Sequence, residues 1–415
     1  MKSKSITLLP AFLVCYSLLW LMAVPFLFFV KRLRPVNWQR FGLSMPAGPF
    51  RLWIQASSVG EAKLAVKLIS KMPEHQKKHI LVTTNTAQGM QTLQNNINPQ
   101  VSLAYFPFDM IFFLIPALHV IKPEKILLME TEIWPGLLWL SKIKSIPVII
   151  GNARMSLKSF CRYLSISSVL ERLNPHTIAA VSELDKFRFA RIFPSSAVSV
   201  MPNIKFDILR ETKAQTSAHN RLSSLFSSNR KLIVLGSIRR QEEHLIQWLI
   251  NQIVNNHNEI DIALFPRHMT RLEHWDLFLS HNKITWTKRT SLTSSDSHCR
   301  VILWDKFGEM LDAYGLAENV YVGGSLIPCG GQNFLEPVSQ GVVPCVGPYW
   351  NNFNWVGKKV FDYGLVNQVK DIHELYSYLI KPQTYSNKMV MDLFAEYLSE
   401  HKHGTKILLQ KLSNQ

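Results

Sequence analysis

From residue 51 onward the chain alternates short apolar runs with longer amphipathic stretches. Residues 51–56, 79–83, 101–105, 124–128, 147–150 and 177–181 are rich in Ile, Val, Leu and aromatic side chains, and each is long enough for one buried strand. Segments between them, such as 62–71, carry apolar residues at helical spacing. This rhythm predicts an α/β domain built on a doubly wound parallel sheet. Each run ends in polar residues: Ser57-Ser58-Val59-Gly60-Glu61, Thr84-Asn85-Thr86, Pro107-Phe108-Asp109, Glu130-Thr131-Glu132, Asn152-Ala153-Arg154 and Ser182. Ligands of open α/β sheets bind outside the carboxyl ends of the strands, so these clusters are expected along one rim.

A Ser-, Thr- and Asn-rich stretch, 211–229, interrupts the pattern and predicts a linker, with a helical turn possible at 222–226. The same rhythm then restarts with strands at 231–235, 261–265, 301–304, 320–322 and 365–369, and helices at 241–256 and 388–412. The expected organisation is a basic-flanked N-terminal segment (1–34), a first domain (35–210), the linker, and a second domain (230–415). Residues 319–348 hold a strand, two Gly-Gly pairs, a helix start at Asn333-Phe334-Leu335-Glu336 and a further strand. Glycines there serve as turns, or let backbone N–H groups approach an anion.

Before residue 51 the pattern differs. Residues 5–30 are uncharged and long enough to cross roughly 30 Å of hydrocarbon as one helix. Lys31, Arg32, Arg34 and Arg40 follow, so the expectation is an uncleaved single-pass anchor with the body of the protein in the cytoplasm.

Charge narrows the partners. The net charge of +17 favours anionic ones, namely a membrane surface or a phosphorylated substrate. The basic residues are dispersed and no nucleic-acid-binding module is visible, so nucleic acid ranks last. Five widely spaced cysteines without a Cys-x-x-Cys pair suit free thiols in a reducing compartment. No Asp-x-Asp, His-Glu-x-x-His or Walker sequence calls for a metal or a nucleoside triphosphate.

Several strand ends carry candidate chemistry. Glu61 follows a small glycine-containing loop in the first turn of a helix; the dipole there favours its ionised form, and its position suits a general base. Ser58 and Gly60 lie beside it in the same loop. Glu130 and Glu132 form an acid pair that either stabilises charge or merely starts a helix. Lys205 follows Pro202-Asn203-Ile204; a surface lysine is its plainer reading. In the second domain Pro266-Arg267-His268 closes a strand, where Arg267 suits a phosphate or carboxylate, and Gly308-Glu309, followed by Met310, opens a helix with its amides toward the rim. His268 has no visible relay partner.

With Ala56-Ser57-Ser58-Val59-Gly60-Glu61, Met129-Glu130-Thr131-Glu132-Ile133-Trp134-Pro135, Asn152-Ala153-Arg154-Met155-Ser156, Pro202-Asn203-Ile204-Lys205-Phe206-Asp207, Pro266-Arg267-His268 and Gly330-Gly331-Gln332-Asn333-Phe334-Leu335-Glu336-Pro337 in one order, the chain resembles the 3-deoxy-D-manno-octulosonic acid (Kdo) transferases over nearly its whole length. The resemblance implies a GT-B fold, two Rossmann-like domains facing a cleft. It implies a metal-independent inverting glycosyltransferase without cofactor, moving Kdo from CMP-Kdo to a lipid A precursor (lipid IVA) at the inner membrane. By that resemblance Glu61 would be the base, and one or both of Glu130 and Glu132 with Lys205 would stabilise the transition state. Pro266, Arg267, His268, Gly308, Glu309, Met310, Asn333, Phe334, Leu335 and Glu336 would bind CMP.

Departures from the family pattern are Gln55 and Gln332, where histidines are usual, and Gly236-Ser237-Ile238-Arg239. They leave the acids and glycines intact. Two other readings stay open at this point: a nucleotide-sugar epimerase or hydrolase on the same fold, and a basic membrane-surface protein without catalysis.

Overall fold

The computed structural model describes residues 8–27, 29, 38–215, 220–226, 230–292 and 299–413. Two compact units divide the chain: Met1–Ile208 with His401–Gln415, and Leu209–Glu400.

The first unit is a seven-stranded sheet formed by β1 (Leu52–Gln55), β2 (Ile80–Thr84), β3 (Ser102–Tyr105), β4 (Ile126–Met129), β5 (Val148–Ala153), β6 (Thr177–Ala180) and β7 (Ala197–Val200). Their order is β3-β2-β1-β4-β5-β6-β7 and every pair is parallel. The second unit repeats this with β8 (Lys231–Ile238), β9 (Ile260–Pro266), β10 (Trp286–Lys288), β11 (Val301–Leu303), β12 (Asn319–Val322), β13 (Pro344–Val346) and β14 (Asn367–Gln368). The order is β10-β11-β9-β8-β12-β13-β14, again all parallel. Parallel strands covered on both faces must be apolar throughout, and β1, β2, β4, β5 and β6 are buried at every position.

The edge strands β7 and β10 escape the pattern because they are only partly covered. Where 211–229 was expected to be a linker, the helix Ile204–Gln215 runs into its first part and a 3₁₀ turn occupies Ser223–Leu225. Asn220 and Arg221 tie that turn to Asp312 of the second unit.

The expected helix 388–412 is two helices, Asn387–Glu400 and Gly404–Ser413. The first belongs to the second unit. The other returns to the first, burying Leu408 and Leu412 against Leu127, Met129 and Ile149. Between them His403 takes φ 75, and Gly404 seats against Pro202, whose carbonyl oxygen would lie 2.3 Å from any added Cβ. Asp207 accepts from the His403 and Thr405 N–H groups and holds the break.

The helix Leu8–Leu27 docks on the first unit. Leu13 is buried, the Tyr16 hydroxyl donates to Asp109 at 2.8 Å, and Trp20 meets Phe108. Among the described residues no helix is long and apolar enough to cross a membrane. The basic flank expected at 31–34 lies outside the described residues.

Candidate active site

In the first sheet β1 lies between β2 and β4, so the loops after β1, β2 and β4 are neighbours although distant in sequence. Ser57, in the loop after β1, is the hub. Its Oγ accepts from Gln55 Nε2 at 2.9 Å and from Asn85 Nδ2 at 2.9 Å, and its hydroxyl donates to Glu132 Oε2 at 2.6 Å. Gln55 is fully buried; its Oε1 accepts from Thr83, so this departure from the family pattern joins strand to loop. Asn85 is held by Arg40, a nearly fully buried guanidinium that donates to the Asn85 carbonyl at 2.6 Å and lies over the Tyr105 ring.

Glu61 sits one turn into the helix Val59–Ser70, whose N-cap is Ser58. One carboxylate oxygen accepts from the Ser57 N–H at 2.7 Å and the other from the Ser58 hydroxyl at 2.8 Å. Ser-x-x-Glu is capping-box spacing, and the helix start holds the side chain in one orientation. Burial and the neighbouring charge of Glu132, and secondarily of Glu130, outweigh the Ser58 and Ser57 donors and push Glu61 up to about 8. A carboxyl with that proton affinity is suited to accept a proton from a hydroxyl near neutral pH.

Glu130 ends β4 in the left-handed region at φ 55, a conformation costing on the order of 1–3 kcal/mol for a non-glycine residue. The strain aims its carboxylate at two cations: Lys205 Nζ at 2.7 Å and Arg154 Nε at 3.1 Å. Glu132, two residues on, points elsewhere; besides Ser57 it accepts from the Trp134 indole. Burial pushes Glu132 up, against the Ser57, Trp134 and Gln55 donors. Thus Glu61, Glu130, Glu132 and Lys205 come together, with Ser58 and the exposed Gly60 at the helix start. Asp109 and Ser182 do not join them. Asp109 caps the helix Pro135–Ile143 through Gly136 and Leu137, and Ser182 caps Glu183–Ile192.

In the second unit the strand-end residues are presented differently. Pro266 is buried, whereas Arg267 and His268 are exposed. Gly308 turns at φ 84 with nothing within 4 Å of an added Cβ. Glu309 is held by Lys306 at 2.8 Å and Arg289 at 2.9 Å; burial works upward on it, but these cations keep it below the usual range. Met310 Sδ receives the Ser237 hydroxyl. Asn333 is not the N-cap itself: Phe334 is, while Asn333 accepts from Leu335 N–H and donates to Glu336 at 2.9 Å. The Phe334 and Leu335 side chains are fully buried, Phe334 among Trp350, Phe353 and Phe361, so only their backbone is available to a ligand.

Two residues that organise these sites were not singled out from sequence. Ser57 gives no chemical signal of its own. Glu242, fully buried, accepts from the Gly324 N–H at 2.6 Å, the Arg239 N–H at 2.9 Å and the Tyr321 hydroxyl at 2.8 Å, tying the first glycine pair to the end of β8. Its spacing three residues after Arg239, at a helix start, was the available sign. Among the described residues no cluster of three or more His, Cys, Asp or Glu side chains is placed to hold a metal ion.

Residues 36–208 match the family model described as 3-deoxy-D-manno-octulosonic-acid transferase (kdotransferase). A protein of Haemophilus influenzae named 3-deoxy-D-manno-octulosonic acid transferase is 28% identical over 309 residues, 74% of this chain and 72% of its own. A bifunctional glycosyltransferase/methyltransferase of Fusobacterium nucleatum is 27% identical over 354 residues; the match takes in 83% of this chain but 55% of that protein, so the chain spans about half of its length. Among solved structures, a glycosyltransferase from Rickettsia africae aligns with a TM-score of 0.56 at 9% identity, covering 88% of this chain and 98% of that one, a likeness of fold.

Proposed function

We propose that this chain, which belongs to the 3-deoxy-D-manno-octulosonic acid transferase family, transfers Kdo from CMP-Kdo to a lipid A precursor in lipopolysaccharide biosynthesis. The observation that carries the mechanism is the paired arrangement in the first unit: a carboxyl of raised proton affinity beside a carboxylate that holds two cations.

Glu61 takes the proton from the acceptor hydroxyl as that oxygen attacks the anomeric carbon of Kdo. The bond from that carbon to the CMP phosphate oxygen breaks, and the phosphate leaves with the electron pair. Attack opposite the leaving group inverts the anomeric configuration. Lys205, oriented by Glu130 with Arg154, stabilises the charge that develops. In the second unit Arg267 contacts the phosphate, and the backbone of Gly308, Glu309 and Met310 frames the nucleotide. Asn333 and Glu336 reach the ribose, with Pro266, His268, Phe334 and Leu335 shaping that wall. Ser58 and Gly60 form the acceptor side of the base.

The acceptor is a lipid, and the N-terminal helix supplies the membrane attachment. Val14, Leu18, Leu21, Met22 and Phe26 are exposed on it, while Leu13 and Tyr16 face the protein. That division suits a helix seated in the inner-membrane interface on the cytoplasmic side. Extraction from membranes at alkaline pH is the expected behaviour; retention in the pellet would restore the single-pass anchor. The activity itself is tested by incubating the protein with CMP-Kdo and lipid IVA and weighing the glycolipid by mass spectrometry. An unmodified lipid, or CMP release without lipid modification, would favour the hydrolase reading.

A further inference from the structure

Glu132 lies in the site but its hydrogen bonds set it apart from the charge-stabilising group. Ser57 Oγ already accepts two hydrogen bonds, from Gln55 and Asn85, which occupies both of its lone pairs. Its own proton is therefore committed to Glu132 Oε2, the same oxygen that receives the Trp134 indole N–H. Both donors favour the charged form of Glu132, against the burial that pushes its proton affinity up. Trp134 is fixed in turn against Phe106, itself against Trp53. The loop residue so clamped, Ser57, is the one whose backbone N–H grips Glu61 at 2.7 Å.

We propose that Glu132 is the positioning residue of the catalytic base: as a carboxylate it clamps Ser57, through Ser57 it holds Glu61, and its contribution to transfer is its charge rather than a contact with substrate. This deepens the reading of Glu61 as the base. Burial raises both carboxyls, while the Ser57, Trp134 and Gln55 donors work against it on Glu132. The raised proton affinity of Glu61, second to burial in owing to Glu132, agrees with this geometry. The other charged and titratable groups facing the pair are Glu130, with Lys205 and Arg154 upon it, and Tyr163, which senses the charge of Glu132. Glu130 carries two cations, and of the two acids Glu132 acts on Glu61 more strongly.

The test has a substrate-free arm and a catalytic arm. Melting temperature is followed from pH 5 to pH 8 for wild type, E61Q, E132Q and the double variant. Removing Glu132 should flatten the decline of stability with pH much more when Glu61 is present than when it is Gln. Equal flattening in both backgrounds would overturn the proposal even if no Kdo were transferred. In the catalytic arm, kcat/KM for the lipid acceptor is measured against pH at saturating CMP-Kdo. In E132Q the acid limb should move to lower pH by on the order of one unit, whereas E132D, which keeps the charge, should leave it in place. An unmoved limb in E132Q, or loss at all pH values equal to that of E61Q, would contradict a positioning role. E132S is the second charge-removing variant should E132Q fail to fold. A wild type inactive on CMP-Kdo would refute the proposed activity while the melting arm still decided the inference.

Discussion

The strand ends of the two sheets do different work with the same architecture. In the first unit the rim is acidic and interlocked: Glu61, Glu130 and Glu132 are each fixed by at least two hydrogen bonds or ion pairs. In the second, the motif residues offer backbone and exposed side chains, with Gly308, Gly324, Gly330 and Gly331 all at positive φ. Proton transfer needs a side chain of defined proton affinity in a defined place, and that requires a hydrogen-bonded shell. The nucleotide recognition proposed for the second unit, through amides and an outward arginine, needs turns instead, and the fully buried Glu242 serves the loop.

The sharpest way to break this comparison is to remove side chains on each side. E61Q keeps the cap geometry but cannot accept a proton, and transfer should fall by roughly 10³-fold with little change in KM for CMP-Kdo. Lys205→Ala should cost about 10²-fold in kcat, because it removes a cation from the developing charge. Arg267→Ala should raise KM for CMP-Kdo about tenfold and leave kcat nearly intact, since it removes binding common to ground and transition states. A loss of kcat from Arg267→Ala matching that from Lys205→Ala would erase the distinction between the units.

Stability gives smaller but independent readings. Glu242→Ala leaves the buried Gly324 and Arg239 N–H groups without their acceptor and should destabilise the second unit by about 1–3 kcal/mol, read by denaturant unfolding. Glu61 has a folded-state pKa near 8, well above the ordinary carboxylate value of 4.5. The folded protein therefore binds more protons than the unfolded chain between those values, and stability falls as pH rises through that window. Wild type should lose stability relative to E61Q from pH 5 to pH 8, by a few degrees in Tm at most, since several groups share the site. Wild type gaining stability relative to E61Q over that range would contradict the raised proton affinity.

Much of the fold was legible because buried parallel strands must be apolar and must end in polar residues; β1, β2, β4, β8 and β12 were read from that alone. The edges were not, since Ala197–Val200 and Trp286–Lys288 lack the covered faces that write a pattern. Nor was the break at 401–403, which depends on Pro202 and Asp207, residues some two hundred positions away. Glu61, Glu130, Glu132 and Lys205 were visible as charged residues near motif ends. The geometry that joins them was not. It depends on Ser57 meeting Asn85 and Glu132, and on the strain that turns Glu130 toward Lys205 and Arg154, contacts created only when β2, β1, β4 and β5 lie side by side. The buried Gln55 shows the converse: read as a departure in motif, it is a strut in structure.

The most direct test of the central claim is a single-turnover assay of wild type and E61Q, each in excess over lipid IVA with saturating CMP-Kdo, with the glycolipid weighed by mass spectrometry. The account predicts lipid carrying one or more added Kdo units with wild type, and E61Q that still binds CMP-Kdo but transfers it roughly 10³-fold more slowly. Transfer by folded E61Q near the wild-type rate would contradict Glu61 as the base, and a wild type that leaves the lipid unmodified would contradict the function.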